Sequence, residues 1–254
     1  MICIWCPNDF VTLSSEHVIP ESLGCPPDLV LDTITCVACN NRLGTIDHGL
    51  VKQFELLTVM YGVRRKKGKQ PTIDSWRAIS SKHTLDGPHL FLNGGPGTVD
   101  ASGKKLYPAA KSNGITDIWA KPEEGKFGFK MEFGNDPRFM RALYKIGLSL
   151  IGKYYGAKIA ATPAYNHIRV FVEDDIAAPL LTAALIKEID PRHLSNASGP
   201  IVKPGRAYPM FRVTILGVTF LLDLAPDQAG LRDMRGMATL MGEQLYVFPT
   251  TRAA

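Results

Sequence analysis

Three features of the sequence predict an α+β protein in three parts. All five cysteines lie within the first 39 of the 254 residues. Short strand-like segments separated by turns follow, and helix-like and strand-like segments then alternate towards the end of the chain. We therefore expect a cysteine-rich module at residues 1–50, a helical basic linker at 51–70 and an α+β domain with an antiparallel sheet at 71–254.

The individual elements follow from local patterns. Apolar residues at helical spacing predict a helix over 51–63 in the linker. Glycine-rich turns separate the expected strands, which are 72–79, 89–92, 98–101, 105–107, 115–120 and 127–133. The rest of the chain is expected to form a helix from Asp136-Pro137, a strand at 168–173, a helix at 177–188, a hairpin at 211–224 and a last strand at 245–248.

The helix that begins at Pro137 has two different faces. One is an apolar stripe, and the other is basic, with Arg138, Arg141, Lys145 and Lys153. Because basic helix faces usually contact water, we interpret this one as a solvated surface.

Composition excludes several classes of protein. The chain is 45% hydrophobic and 21% charged, as in ordinary globular proteins. No apolar run reaches the roughly 18 residues that a membrane-spanning helix needs. The first residues also lack the basic and apolar regions of a secretory signal. We therefore expect a cytoplasmic protein that does not enter a membrane.

Charge is unevenly distributed along the chain, whose net charge is +5. Residues 1–50 contain one basic and six acidic residues, whereas residues 51–70 contain six basic residues and one acidic residue. An acidic segment suits the binding of a cation, and a basic segment suits the binding of phosphate groups. This pattern favours nucleic acid as a partner.

Four cysteines form two Cys-x-x-Cys pairs, Cys3 with Cys6 and Cys36 with Cys39. Paired cysteines at this spacing are typical of a structural zinc site. Cys25 stands alone and is expected to be a packing residue. A redox function is disfavoured because the pairs lie outside any thioredoxin-like βαβ pattern.

Between the pairs lies the segment Ser15-Glu16-His17-Val18-Ile19-Pro20, and Asn40 follows the last cysteine of the second pair. Together these residues resemble the HNH (ββα-metal) endonucleases, especially the phage junction-resolving type with a four-cysteine zinc. The resemblance covers residues 1–50. It implies a ββα-metal fold, a structural zinc on the four cysteines, and a catalytic Mg²⁺ or Mn²⁺ held by Glu16 and Asn40, with His17 as general base.

The residue types suit this chemistry. An uncharged histidine can take a proton from the attacking water, and carboxylate and amide oxygens are good ligands for Mg²⁺ or Mn²⁺. Neighbours on a strand point to opposite faces, so Glu16 and His17 can serve one site only where the strand ends or distorts, which Pro20 favours.

The segment lacks the middle asparagine of the family motif, which is expected a few residues before Cys36. Asp32 or Thr33 stands at about that position. Asn41 is an alternative to Asn40 as the ligand. Asp47 and His48 are interpreted as a polar cluster at the end of the helix, with a role near the substrate as the alternative.

The resemblance also implies a partner, which we expect to be DNA rather than RNA, selected by residues 71–254. Five basic residues are expected to contact its backbone, namely Arg42, Arg64, Arg65, Lys66 and Lys67. A homodimer would allow both strands to be cut. The alternative function is a catalytically inactive, zinc-stabilised nucleic-acid-binding module.

Overall fold

The computed structural model describes residues 1–64, 68–69, 71–73, 79–84, 87–92, 98–107, 115–134, 136–174, 182–185, 195–201, 205, 207–240 and 246–248. Helices and antiparallel sheets are mixed, as the sequence predicts. The chain forms two compact units. Unit 1 combines residues 1–51 with 137–254, and unit 2 comprises residues 52–136.

These units differ from the expected boundaries at residues 50 and 70. Residues 137–254 fold with the cysteine-rich segment rather than with residues 71–136. Unit 2 is therefore an insertion between the two parts of unit 1. The sequence pattern contains no sign of this arrangement, because it depends on contacts between residues far apart in the chain.

The first 53 residues form a ββα arrangement. Strand β1 (Glu16–His17) pairs antiparallel with β2 (Val30–Leu31), and helix α1 (Val37–Gln53) follows. The first strand is short because Pro20 lies just beyond it and a turn of 3-10 helix begins at Glu21. Gly24 ends that turn with φ at 79°, a conformation that favours glycine.

Helix α3 (Pro137–Tyr155) begins at the predicted proline and buries most of its length. Phe139 packs against Phe220 with ring centroids 5.8 Å apart, and Tyr144 packs against Phe171 at 5.6 Å. The other helices of unit 1 after α3 are α4 (Ala157–Ala160), α5 (Asn166–Glu173) and α6 (Ala229–Leu240). Among the described helices, none is long and apolar enough to cross a membrane.

The basic face of α3 was interpreted wrongly as solvated. Arg141 is 8% exposed and Lys145 is 2% exposed, because both contact other parts of unit 1. Of the four basic residues, Lys153 and Arg138 are partly exposed and so come closer to the expected solvated face.

Unit 1 contains a five-stranded antiparallel sheet, formed by β9 (Thr182–Leu185), β10 (Asn196–Ala197), β11 (Met210–Ile215), β12 (Val218–Asp223) and β13 (Tyr246–Phe248). The strand order in the sheet is β10, β11, β12, β9, β13. The predicted hairpin is β11 with β12, and the predicted last strand is β13.

Two predicted elements of unit 1 were wrong. The expected strand at 168–173 is helix α5, in which the buried Ile168, Phe171 and Val172 have helical spacing and the exposed Val170 lies on the other face. Inside the expected helix at 177–188, residues 182–185 form β9, and the others lie outside the described residues. Pairing with β12 and β13 outweighs the helix propensity of the alanines and leucines there.

Unit 2 begins within α1, and α2 (Glu55–Met60) follows. The expected helix at 51–63 is therefore the end of α1 together with α2. Two antiparallel sheets follow, formed by β3 (Ile79–Thr84) with β4 (Gly87–Leu92), and by β5 (Thr98–Val99), β6 (Lys105–Tyr107), β7 (Ile115–Lys121) and β8 (Lys126–Met131).

The predicted strands of unit 2 are largely confirmed. Strand β3 differs, because it starts at Ile79, where the predicted strand ends, and residues 74–78 lie outside the described residues. A separate hydrophobic core holds the unit together, with Leu56, Val59, Ile73, Ile115 and Ile118 buried in it.

Candidate functional site

The four paired cysteines converge in unit 1. The Sγ atoms of Cys3, Cys6, Cys36 and Cys39 all lie within 4.8 Å of one another. A tetrahedral zinc with bonds of about 2.3 Å places its sulfur ligands about 3.8 Å apart. The Sγ atoms of Cys6 and Cys36 are 3.9 Å apart, which fits this geometry. The cysteines are therefore positioned to bind a metal ion, and the all-sulfur ligand set suits zinc.

Neighbouring groups donate hydrogen bonds to the sulfurs. The backbone N–H of Cys36 donates to Cys3 Sγ at 3.4 Å, and Arg42 Nη2 donates to Cys39 Sγ at 3.5 Å. Burial raises the pKa of the Cys3 and Cys39 thiols. Burial acts in the same direction on Cys36, but hydrogen bonds from the Cys39 backbone and from the other thiols outweigh it and lower the pKa of Cys36. Donors of this kind stabilise the thiolates that a metal site requires.

Strand β1 places its two polar residues in different surroundings. Glu16 is fully buried, whereas His17 is partly exposed, as expected for neighbours on a strand. Lys145 Nζ donates to Glu16 Oε1 at 2.8 Å and to Asp47 Oδ2 at 3.0 Å. A buried ammonium from α3 thus joins a carboxylate of β1 to a carboxylate of α1.

The pKa values of this ion cluster reflect burial and charge. Burial alone lowers the pKa of Lys145, but the negative charges of Glu16 and Asp47 outweigh it and raise the pKa above its usual value. Burial raises the pKa of Asp47, and the positive charge of Lys145 opposes this shift only in part.

Asn40, in the first turn of α1, is hydrogen-bonded to the residues that precede β1. Its Nδ2 donates to Ser14 Oγ at 2.7 Å and to the carbonyl oxygen of Ser15 at 3.1 Å. Since Ser15 adjoins Glu16, these bonds bring Asn40 next to the start of β1. Both hydrogen bonds use the side-chain NH₂ group of Asn40. The other polar atom of this side chain is its carbonyl oxygen, Oδ1.

Asp32 also contacts the segment that leads into β1. The Ser15 hydroxyl donates to Asp32 Oδ1 at 2.6 Å. Asp32 is one of the two residues that stand about where the family has its middle asparagine. Its contact with Ser15 holds the backbone just before Glu16.

The expected substrate-contacting residues are found in different settings. Arg42 is engaged with Glu173, since its Nη1 and Nη2 each lie 2.8 Å from a carboxylate oxygen. Arg64 is exposed. Arg65, Lys66 and Lys67 lie outside the described residues. A substrate role for these five residues stays a prediction.

Sequence reasoning assigned Lys145 to a solvated basic face, where the structure has a buried ion cluster, and it assigned Asp47 to a polar cluster at the end of the helix. Asp47 lies in the middle of α1 rather than in a polar cluster at its end. A signal for Lys145 did exist in the sequence, because it is the only charged residue in the apolar segment 142–152. A lone charge inside an apolar helical segment usually needs a partner when it is buried.

A short antiparallel hairpin followed by a helix, with four convergent cysteines and an acid-histidine pair on the first strand, is the arrangement of a ββα-metal module. Residues 3–55 match the family model of the HNH endonucleases. This segment is therefore similar to the HNH endonucleases, and nucleic acid is the substrate class that the similarity implies. No curated protein and no solved structure matched the chain.

Proposed function

We propose that the protein is a metal-dependent endonuclease that hydrolyses phosphodiester bonds of DNA in the cytoplasm. The supporting observation is the hydrogen bonding of Asn40 to Ser14 and Ser15, which brings it next to the strand that bears Glu16 and His17. All these residues lie within the segment that matches the HNH endonucleases. The four cysteines would hold a structural zinc that joins the segment around Cys3 and Cys6 to the start of α1.

In this proposal His17 is the general base, because its partial exposure lets it accept a proton from an attacking water. Glu16 Oε2 and the side-chain carbonyl oxygen of Asn40 would hold one Mg²⁺ or Mn²⁺. Glu16 Oε2 fits this role, since it is buried and has no hydrogen-bond partner among the described residues. When bound, such a cation neutralises the negative charge that develops on the phosphate and on the leaving oxygen.

The distribution of charge between the two units supports unit 2 as the part that attracts the nucleic-acid backbone. Unit 2 contains 14 basic and 9 acidic residues, whereas unit 1 contains 15 of each. The whole net charge of +5 therefore belongs to the inserted unit. We propose that Arg64 and the neighbouring Arg65, Lys66 and Lys67 take part in this attraction. It acts on the phosphate groups and does not depend on the base sequence.

One observation favours the alternative of an inactive nucleic-acid-binding module. Glu16 is fully buried and already bound to Lys145, so a ligand of the proposed cation is engaged within the protein. Nicking activity decides between the two functions, because both predict zinc and DNA binding but only the endonuclease predicts cleavage.

The test is nicking of supercoiled plasmid with Mg²⁺ or Mn²⁺ and with neither, for the wild type, His17→Ala and His89→Ala. His89 is an exposed histidine of unit 2 and is the matched control. We expect metal-dependent nicking that falls about 10²- to 10⁴-fold in His17→Ala, at unchanged zinc content, and not in His89→Ala. DNA binding without nicking by the wild type, on plasmid, branched and single-stranded substrates, would support the inactive module instead.

A further inference from the structure

Lys145 contacts the proposed nuclease site from outside the family-matched segment. It belongs to α3, about 90 residues beyond the end of the match at residue 55. Its side chain is 2% exposed, and its ammonium group contacts one oxygen of Glu16 and one of Asp47. A buried ion pair is rarely a net gain in stability over well-packed apolar residues, so its presence calls for a further reason.

The unused oxygens of the two carboxylates indicate that reason. Among the described residues, Glu16 Oε2 and Asp47 Oδ1 are buried and have no hydrogen-bond partner. Buried carboxylate oxygens normally have partners, because leaving one unsatisfied costs about 1–3 kcal/mol or more. With all three groups ionised, the cluster also has one negative charge more than positive charge. A remaining negative charge beside a free, buried oxygen is suited to a divalent cation.

Asp47 and Asn40 lie on the same face of α1, seven residues and therefore about 10 Å apart along the helix axis. Side chains this far apart reach a common cation only with difficulty. Asp47 is better placed to act on the cation through Lys145, whose ammonium lies 3.0 Å from Asp47 Oδ2.

We propose that Lys145 is a positioning residue of the nuclease site, which binds Glu16 Oε1 and thereby presents Glu16 Oε2 to the catalytic cation. Asp47 holds Lys145 in place. This role of Lys145 rests on the proposed endonuclease function. It means that residues 1–55 do not contain every residue that the cation site needs. The HNH module therefore depends on α3 for more than packing.

The experiment measures Mn²⁺ binding to the full-length, zinc-loaded protein by the electron paramagnetic resonance signal of free Mn²⁺, together with plasmid nicking. The variants are Lys145→Met, Lys145→Arg, and the double variant Lys145→Met with Asp47→Asn. The matched control is Lys153→Met, which removes a lysine of the same helix that pairs at 2.8 Å with the exposed carboxylate of Asp28.

Charge and positioning predict opposite results. Removing the ammonium makes the site more negative, so charge alone predicts tighter Mn²⁺ binding by Lys145→Met. Loss of positioning predicts binding about 10- to 100-fold weaker, the usual effect of removing a residue that orients a metal ligand. We expect the weaker binding, partial recovery in Lys145→Arg, and unchanged binding in Lys153→Met.

The double variant keeps the test decisive if Lys145→Met folds poorly. It removes one positive and one negative charge, so its net charge at the site equals that of the wild type, but Glu16 loses its partner. We expect it to bind Mn²⁺ as weakly as Lys145→Met. Wild-type binding by the folded double variant, or tighter binding by Lys145→Met, would overturn the proposal while nicking by the wild type upheld the endonuclease. A wild type that neither binds Mn²⁺ nor nicks DNA would overturn both.

Discussion

At the scale of single residues, Arg169 connects the metal-binding segment to the rest of unit 1. It is buried on α5, and its guanidinium donates to the carbonyl oxygens of Ile4 and Ala160, at 3.0 Å and 2.7 Å, and to Asn166 Oδ1 at 2.6 Å. Burial lowers the pKa of Arg169. Ile4 lies between the first two cysteines, so this side chain fixes the backbone of the first pair.

We predict that Arg169→Lys lowers the free energy of unfolding by about 2–4 kcal/mol, because a lysine cannot satisfy carbonyl groups that a planar guanidinium reaches together. Chemical denaturation at constant zinc concentration measures the change. The control is Arg212→Lys on β11, where the arginine is exposed, and we expect a change below about 0.5 kcal/mol. Similar changes in both variants would contradict this role for Arg169.

His167 is a second residue whose environment has a measurable consequence. Its Nε2 lies 3.0 Å from the carbonyl oxygen of Leu224, and burial lowers its pKa. Because the unfolded chain then binds a proton more readily than the folded chain, stability is full above the ordinary pKa of about 6.5 and is lost as the pH falls through the lower folded-state value.

We therefore predict that the free energy of unfolding falls less between pH 7.5 and pH 5 in His167→Gln than in the wild type. Protonation of the zinc cysteines contributes equally to both proteins and cancels in the difference. His89→Gln, at an exposed histidine, serves as the control and should follow the wild type. An identical pH dependence of the three proteins would show that His167 does not resist protonation.

At the scale of elements, α1 contains two glycines in opposite environments. A Cβ atom added at Gly44 would have nothing within 4 Å, whereas one added at Gly49 would lie 2.6 Å from the Cβ of Arg138. The absence of a side chain at Gly49 therefore allows α1 to approach the start of α3 closely. The same substitution at the two positions separates helix propensity from packing.

We predict that Gly44→Ala raises the free energy of unfolding by about 0.5–1 kcal/mol, since alanine favours the helix. Gly49→Ala should instead lower it by about 1–3 kcal/mol, because Arg138 or the backbone must shift. Thermal or chemical unfolding measures both. Stabilisation by both variants would mean that α1 and α3 are not in close contact at Gly49.

At the scale of the whole molecule, the metal-binding cysteines and the core of unit 2 lie in separate units. Stability should therefore respond to metal in one unit more than in the other. In unit 1 the four convergent cysteines join the segment around Cys3 and Cys6 to the start of α1, whereas the core around Leu56 and Ile118 contains no cysteine.

We predict that removing zinc with a strong chelator increases hydrogen exchange in β1, β2 and the first part of α1, and leaves β7 and β8 protected. Hydrogen exchange followed by mass spectrometry on the full chain, before and after chelation, measures both units at once. Restored protection after zinc is added back is the control. Equal loss of protection in β7 and β8 would show that the two units unfold as one.

The sequence by itself determined what depends on local spacing. The two Cys-x-x-Cys pairs predict the four-cysteine cluster, and with Glu16-His17 and Asn40 they carry the resemblance to the HNH endonucleases that residues 3–55 confirm. The Asp136-Pro137 signal marks the start of α3. Each is a short pattern with its own chemistry. Only the tertiary structure decided which distant segments meet. It buries Lys145 between Glu16 and Asp47, pairs β9 with β12, and places residues 52–136 as an insertion. The physical reason is that burial, strand pairing and ion pairing are properties of two partners, and one stretch of sequence contains only one of them.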